Sequence, residues 1–104
     1  MPIIEIGSHE TFQKVIQHNK LIVVDFYAVW CGPCKAIAPR MESFAATYSD
    51  VVFLKVDVDT LKETAAQYQI TAMPTILFFK QGQKLGQVVG ANIKEIQDKI
   101  EQLR

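Results

Sequence analysis

Hydrophobic and polar positions along this chain alternate between two rhythms. Leu21–Ala28 is almost continuously apolar, β-branched and aromatic, and only Asp25 interrupts it. Such a run predicts a strand covered on both faces. Val51–Val58 and Thr75–Phe79 read as further strands, and Ile3–Ile6 as a short one. Between them the period changes to that of a helix. Ser8 can cap a helix that carries Phe12, Val15 and Ile16 on one face. Cys34–Ser49 places Ile37, Met41, Phe44, Ala45 and Tyr48 at helical spacing, with Pro39 expected to kink it. Thr60-x-x-Glu63 has the form of a capping box and predicts a short helix through about Tyr68. Gln81-Gly82-Gln83 turns the chain into Lys84–Val89, a hairpin, and Gly90 breaks that strand. Asn92-x-x-Glu95 caps a last helix with Ile93, Ile96, Ile100 and Leu103 on one face.

The order β-α-β-α-β-α-β-β-α predicts an α/β fold. Its mostly parallel sheet ends in an antiparallel hairpin, and helices cover both faces. With 104 residues and 49% hydrophobic content, one domain over residues 1–104 can fill its own core. Eleven basic and eleven acidic residues balance overall. They also balance locally, four against five up to Val52 and seven against six beyond it. No basic block points to nucleic acid, and no apolar run approaches the length of a membrane span. The start, Met1-Pro2-Ile3-Ile4-Glu5, lacks the basic and apolar regions of a signal peptide, so a cytoplasmic location is expected. His9 and His18 are expected on a solvated helix face, and no Gly-rich phosphate loop is present.

Candidate chemistry rests on two cysteines, Cys31 and Cys34, the only ones in the chain. They stand between the apolar run and the following helix pattern. A thiolate is favoured at a helix N-terminus, and the thiolate is the reactive form. The pair is therefore read as a reactive dithiol. Three residues apart on a helical turn, its Cα atoms should lie about 5–6 Å apart, within disulfide range. Half of a zinc site is one alternative, but zinc needs about four ligands, and only two distant histidines remain. An inert structural bridge is the other, although so short a loop constrains the unfolded chain weakly.

Trp30-Cys31-Gly32-Pro33-Cys34-Lys35 is similar to the active-site motif of the thioredoxin family. Val24-Asp25-Phe26-Tyr27-Ala28, Ile37-Ala38-Pro39 and Lys55-Val56-Asp57-Val58-Asp59 extend the resemblance, as do Met73-Pro74-Thr75 and Val89-Gly90-Ala91. These blocks fall in family order and cover essentially the whole chain. The resemblance implies the thioredoxin fold, a central mixed five-stranded sheet flanked by four helices in three layers. It also implies reduction of protein disulfides by dithiol-disulfide exchange, contributing to cell redox homeostasis. Cys31 would be the exposed nucleophile, and Cys34, better covered, would resolve the mixed disulfide. Asp25 would be a buried proton acceptor for Cys34, with Lys55 as its charge partner. Met73 and Pro74, the latter after a cis bond, would bind substrate as an added strand. Trp30, Gly90 and Ala91 would complete an apolar platform around the cysteines.

Gly32 and Pro33 would set the redox balance. Pro33 has no N–H to donate to sulfur, which favours a reductant. Family members carry an attacking thiol near pKa ~7, a general reference value and not one obtained from this chain. Reaching it from ~8.5 takes roughly 2 kcal/mol, whereas a helix end supplies about 0.3–1. Hydrogen bonds from the Cys34 thiol and nearby backbone N–H groups should supply the rest. No bound cofactor is expected, because the cysteine pair carries the electrons. By resemblance these come from NADPH through thioredoxin reductase. Peroxiredoxin, methionine sulfoxide reductase and ribonucleotide reductase are the implied targets. Val29 stands where relatives are often polar, so the rim should be more apolar. With one cysteine pair, no thiol-linked oligomer is expected, and the chain should be monomeric.

Overall fold

The computed structural model describes residues 3–104. The expectation drawn from Met1-Pro2 about a leader lies outside the described residues. Nine elements follow one another: β1 (Ile4–Glu5), α1 (His9–Val15), β2 (Ile22–Tyr27), α2 (Gly32–Thr47), β3 (Val52–Asp57), α3 (Lys62–Gln67), β4 (Thr75–Lys80), β5 (Gln83–Val89) and α4 (Ile93–Leu103). The sheet order is β1-β3-β2-β4-β5. Strand β2 sits in the middle, which explains why its sequence is apolar but for Asp25. Ile22, Val24 and Phe26 face one way, with Phe12 of α1, and Val23 faces the other, with Ile37, Met41 and Phe44 of α2.

Two helices cover each face. Ile96 and Ile100 of α4 join α2 over Val23, Ile76 and Phe78, and both are fully buried. On the opposite face Phe12, Tyr68 and Phe79 pack edge to face, with ring centroids 5.3–5.8 Å apart. Among the described residues no helix is long and apolar enough to cross a membrane.

The sheet is less parallel than the element order suggests. The β1–β3 and β2–β3 ladders are parallel, but β4 runs antiparallel to both β2 and β5. The connection that carries α3 passes over β2 and enters β4 at the end of the sheet where β3 finishes, so β4 runs against its neighbours.

Ser8 and Asn92 cap α1 and α4 as their sequences predict, accepting from the N–H groups of Thr11 and Glu95 at 3.1 and 3.0 Å. The capping box at Thr60 does not form. Helix α3 begins after Leu61 with no side-chain cap, and the Thr60 hydroxyl donates to the Asp57 carbonyl instead. The turn leaving β3 takes the residue that the box requires. Helix α2 starts at Gly32, two residues earlier than its apolar spacing indicates, and runs through Pro39 as one helix.

His9 is not on a solvated face. Its Nδ1 lies 2.7 Å from the Thr64 hydroxyl, joining α1 to α3. His18 lies beyond the end of α1, where its Nδ1 accepts from the Lys20 N–H at 3.1 Å.

Gln81 and Gly82 make the β4–β5 turn with φ of 53° and 82°, the left-handed pair of a two-residue hairpin. A Cβ on Gly82 would sit 2.7 Å from the Gln17 amide, whose flexible end can move. Gly82→Ala is therefore expected to cost the backbone term alone, about 1–2 kcal/mol. A melting point lower by roughly 4–12 °C would show it in calorimetry. No change would mean that the turn relaxes freely.

Candidate functional site

The C-terminal end of β2, the start of α2, the start of β4 and the end of β5 meet at one end of the sheet. Ala28-Val29-Trp30 turns the chain there, and the Cys31 N–H closes the turn on the Ala28 carbonyl at 3.2 Å. Cys31 is the N-cap of α2, in extended conformation, and its Sγ accepts the Cys34 N–H at 3.1 Å. A side chain oxygen usually fills this role. Here a sulfur does, so the helix delivers a backbone donor as well as its dipole to that atom.

Cys31 and Cys34 form a disulfide with their Cα atoms 5.3 Å apart. Helical spacing sets this distance, so the bond can open with little backbone movement. Pro33 lies in the first turn, where its missing N–H leaves no helical hydrogen bond unmade. Gly32 is exposed, and an added Cβ would meet nothing within 4 Å. Space alone does not require glycine there.

Exposure does not separate the two sulfurs. Cys31 is 4% exposed and Cys34 5%, so the expectation of an open Cys31 beside a covered Cys34 does not hold in the disulfide state. Both pack with Ala28, and Tyr27, Val58 and Met73 lie around them. Their surroundings do differ. Cys31 Sγ lies 3.7 Å from the Met73 carbonyl oxygen, towards β4. Cys34 lines a cavity of about 280 Å³ with Asp25, Ala28, Val29 and Lys55.

The Met73–Pro74 peptide is cis. Pro74 is buried, and its carbonyl accepts the Gly90 N–H at 2.8 Å, joining the start of β4 to the end of β5. Gly90 has φ of 98°, a conformation that favours glycine. Ala91 beside it is exposed. Trp30 is 65% exposed and Val29 62%, an apolar rim next to the disulfide. The Trp30 indole N–H donates to Asp59 Oδ2 at 2.8 Å, which fixes the ring. Met73 thus packs against the cysteine pair, Trp30 directly precedes Cys31, and Pro74 is tied to Gly90, which Ala91 follows.

Asp25 is 7% exposed, on the α2 side of β2. Burial pushes its carboxyl up to about 7, the nearby Glu5 charge adds to the rise, and Lys55 opposes both. Its Oδ1 has no hydrogen-bond partner among the described residues. Lys55 stands directly opposite Asp25 in the β2–β3 register. Its ammonium is nevertheless not in ion-pair contact with Asp25. It pairs with Glu5 Oε1 at 3.6 Å instead, over the Tyr27 ring. Glu5 is half-exposed on the outer strand β1, so water continues to solvate the cation there; beside Asp25 much of that water would be lost.

Three contributors escaped the sequence reading. Asp59 holds Trp30, and Glu5 with Tyr27 holds Lys55. Asp59 ends a block that resembles the family, which marks the position without revealing the contact. Glu5 carries no local signal; only the β1–β3 register brings it to Lys55.

The Thioredoxin family model matches residues 3–102. Thioredoxin-1 of Schizosaccharomyces pombe is 47% identical over 96 residues, 92% of this chain and 93% of that protein. The reduced thioredoxin pre-protein of Schistosoma mansoni superposes with a TM-score of 0.95 at 45% identity, covering 100% of both chains. A chain solved for the thiol resolving mechanism in yeast mitochondrial 1-Cys peroxiredoxin via glutathione/thioredoxin systems superposes at 0.93 with 38% identity, covering 97% of this chain and 95% of its own. Motif, fold and relatives agree over nearly the full length, and the chain belongs to the thioredoxin family.

Proposed function

We propose that Cys31 attacks and Cys34 resolves in the protein-disulfide reduction that this family carries out. The Cys31 thiolate attacks one sulfur of a substrate disulfide, forming a mixed disulfide and releasing the other substrate sulfur as a thiolate that takes up a proton. The Cys34 thiol then loses its proton and attacks Cys31 Sγ. The substrate's second sulfur leaves as a thiol, and the Cys31–Cys34 disulfide remains. Two electrons pass to the substrate, and no bound cofactor takes part. One observation carries this direction: Cys31 Sγ is the capping atom of α2 and receives the Cys34 N–H at 3.1 Å. That donor stabilises negative charge on Cys31 while Cys34 waits one turn away.

Asp25 accepts the Cys34 proton across the cavity they both line. Its carboxyl, raised to about 7, can gain and lose a proton near neutral pH. Trp30, Met73, Pro74, Gly90 and Ala91 form the substrate platform. The peptide groups around Met73 offer main-chain pairing that requires no particular substrate sequence. Gly32 and Pro33 keep donors few and the pair reducing. NADPH supplies the electrons through thioredoxin reductase, and the setting is the cytoplasm. Peroxiredoxins are one substrate class, supported by the peroxiredoxin context of one structural relative; methionine sulfoxide reductase and ribonucleotide reductase follow from the family resemblance.

The test is a coupled assay with thioredoxin reductase, NADPH and a disulfide-bonded protein. Turnover of NADPH that requires the chain and yields free substrate thiols is expected. Absence of turnover with the chemically reduced protein competent to fold would contradict the reading.

A further inference from the structure

Lys55 is the middle of a row of three charges. Glu5 faces it in the β1–β3 register, and Asp25 faces it in the β2–β3 register. One ammonium therefore stands between two carboxyl groups. The contacts show which of them holds it. Glu5 Oε1 lies 3.6 Å from Lys55 Nζ and accepts the Tyr27 hydroxyl at 2.8 Å. Lys55 Nζ also lies 5.3 Å from the centre of the Tyr27 ring. Tyr27 thus fixes the carboxylate from one side and offers its ring to the cation from the other. Asp25 is left with an Oδ1 that no described group hydrogen-bonds.

We propose that Glu5 is a positioning residue for proton transfer at Cys34: it draws the Lys55 ammonium towards the outer strand and so leaves Asp25 free to hold a proton. The proposal rests on the reading of Asp25 as the acceptor for Cys34. Without Glu5 the lysine would turn to the remaining carboxylate. Asp25 would then stay ionised to lower pH and would be a weaker base. Tyr27 remains a neutral donor throughout, because burial and its hydrogen bond to Glu5 raise its phenol. The other ionisable groups around Asp25 are Lys35 and Glu42 on α2; Cys34 is held in the disulfide and does not titrate, and the facing β4 partner is Ile76.

Glu5→Gln tests this, because glutamine can still accept from Tyr27 and only the charge is lost. The readout is the titration midpoint of the Asp25 carboxyl carbon by NMR in the oxidised protein. It should fall by roughly half to one pH unit, the size of one partly screened charge in this range. Lys55→Gln alone should move the midpoint upward. In the Lys55→Gln background, Glu5→Gln should shift it by less than half as much. An unmoved midpoint in the single variant would overturn the proposal. So would an equal shift in both backgrounds, since Glu5 would then act without positioning Lys55. A purely structural role for Glu5 would change the melting point and leave the midpoint in place. The titration needs no substrate or reductase, so it succeeds or fails separately from the coupled assay.

Discussion

Asp25→Asn is expected to stabilise the oxidised protein by about 2 kcal/mol at about pH 8.5, and to destabilise it by roughly 1–2 kcal/mol near pH 4, where the ionisation cost is nearly absent and the poorly paired amide remains. The buried carboxyl is raised to about 7 from an ordinary value of 3.8. Between those values the folded state binds more protons than the unfolded state. The contribution of Asp25 to stability is thus fully present below about pH 4 and is lost as pH rises through about 7. Roughly three pH units correspond to about 4 kcal/mol of cost for the ionised, folded form. Asparagine escapes that cost but leaves a buried amide poorly paired, which returns about 1–3 kcal/mol. The difference should raise the melting point at alkaline pH by roughly 10 °C. Thermal and urea unfolding at the two pH values would measure it. A variant less stable than the parent at alkaline pH would mean that Asp25 is solvated or paired. The same substitution should slow disulfide reduction, because Cys34 loses its proton acceptor. Stability given up at a buried acid in exchange for chemistry is a common feature of active sites.

Cys31→Ser should lower coupled turnover by about three orders of magnitude or more, to background. A hydroxyl is scarcely ionised near neutral pH and makes a poor nucleophile towards a disulfide. Misfolding would not explain the loss. The bridge closes a loop of only three residues in sequence separation, worth about 2 kcal/mol at most against the roughly 5–15 kcal/mol of an ordinary domain. Circular dichroism and the melting point should show a folded variant. Substantial turnover in that variant would remove Cys31 from the attacking role.

Local patterns in the sequence carried most of the fold. Ser8, Asn92 and the Gln81-Gly82 turn act through neighbours at most three residues away, and the structure places each as the pattern indicates. Strand β2 is legible because burial on both faces leaves almost no polar position. Thr60 fails for an instructive reason: it belongs to the turn that closes on the Asp57 carbonyl, so Leu61 and not Thr60 stands at the N-cap of α3.

At the site, the identity and spacing of Cys31 and Cys34 are local facts. Glu5 and Lys55 meet across strands 50 residues apart in number, and Trp30 meets Asp59 across two loops. A single sequence contains no register, so it could suggest that Lys55 faces Asp25 but not that Glu5 competes for it. The equal burial of Cys31 and Cys34 is equally hidden, because it depends on the packing of Met73 and Val58, distant in sequence, around the pair.

The direction of attack is tested most directly by trapping. Reduced Cys34→Ser and Cys31→Ser proteins would each be mixed with a disulfide-bonded protein and analysed by intact mass spectrometry. Cys34→Ser should accumulate a covalent adduct at Cys31, stable until a thiol is added, while Cys31→Ser forms little or none. Accumulation on Cys34 in the Cys31→Ser protein, with none on Cys31 in the other, would contradict the assignment.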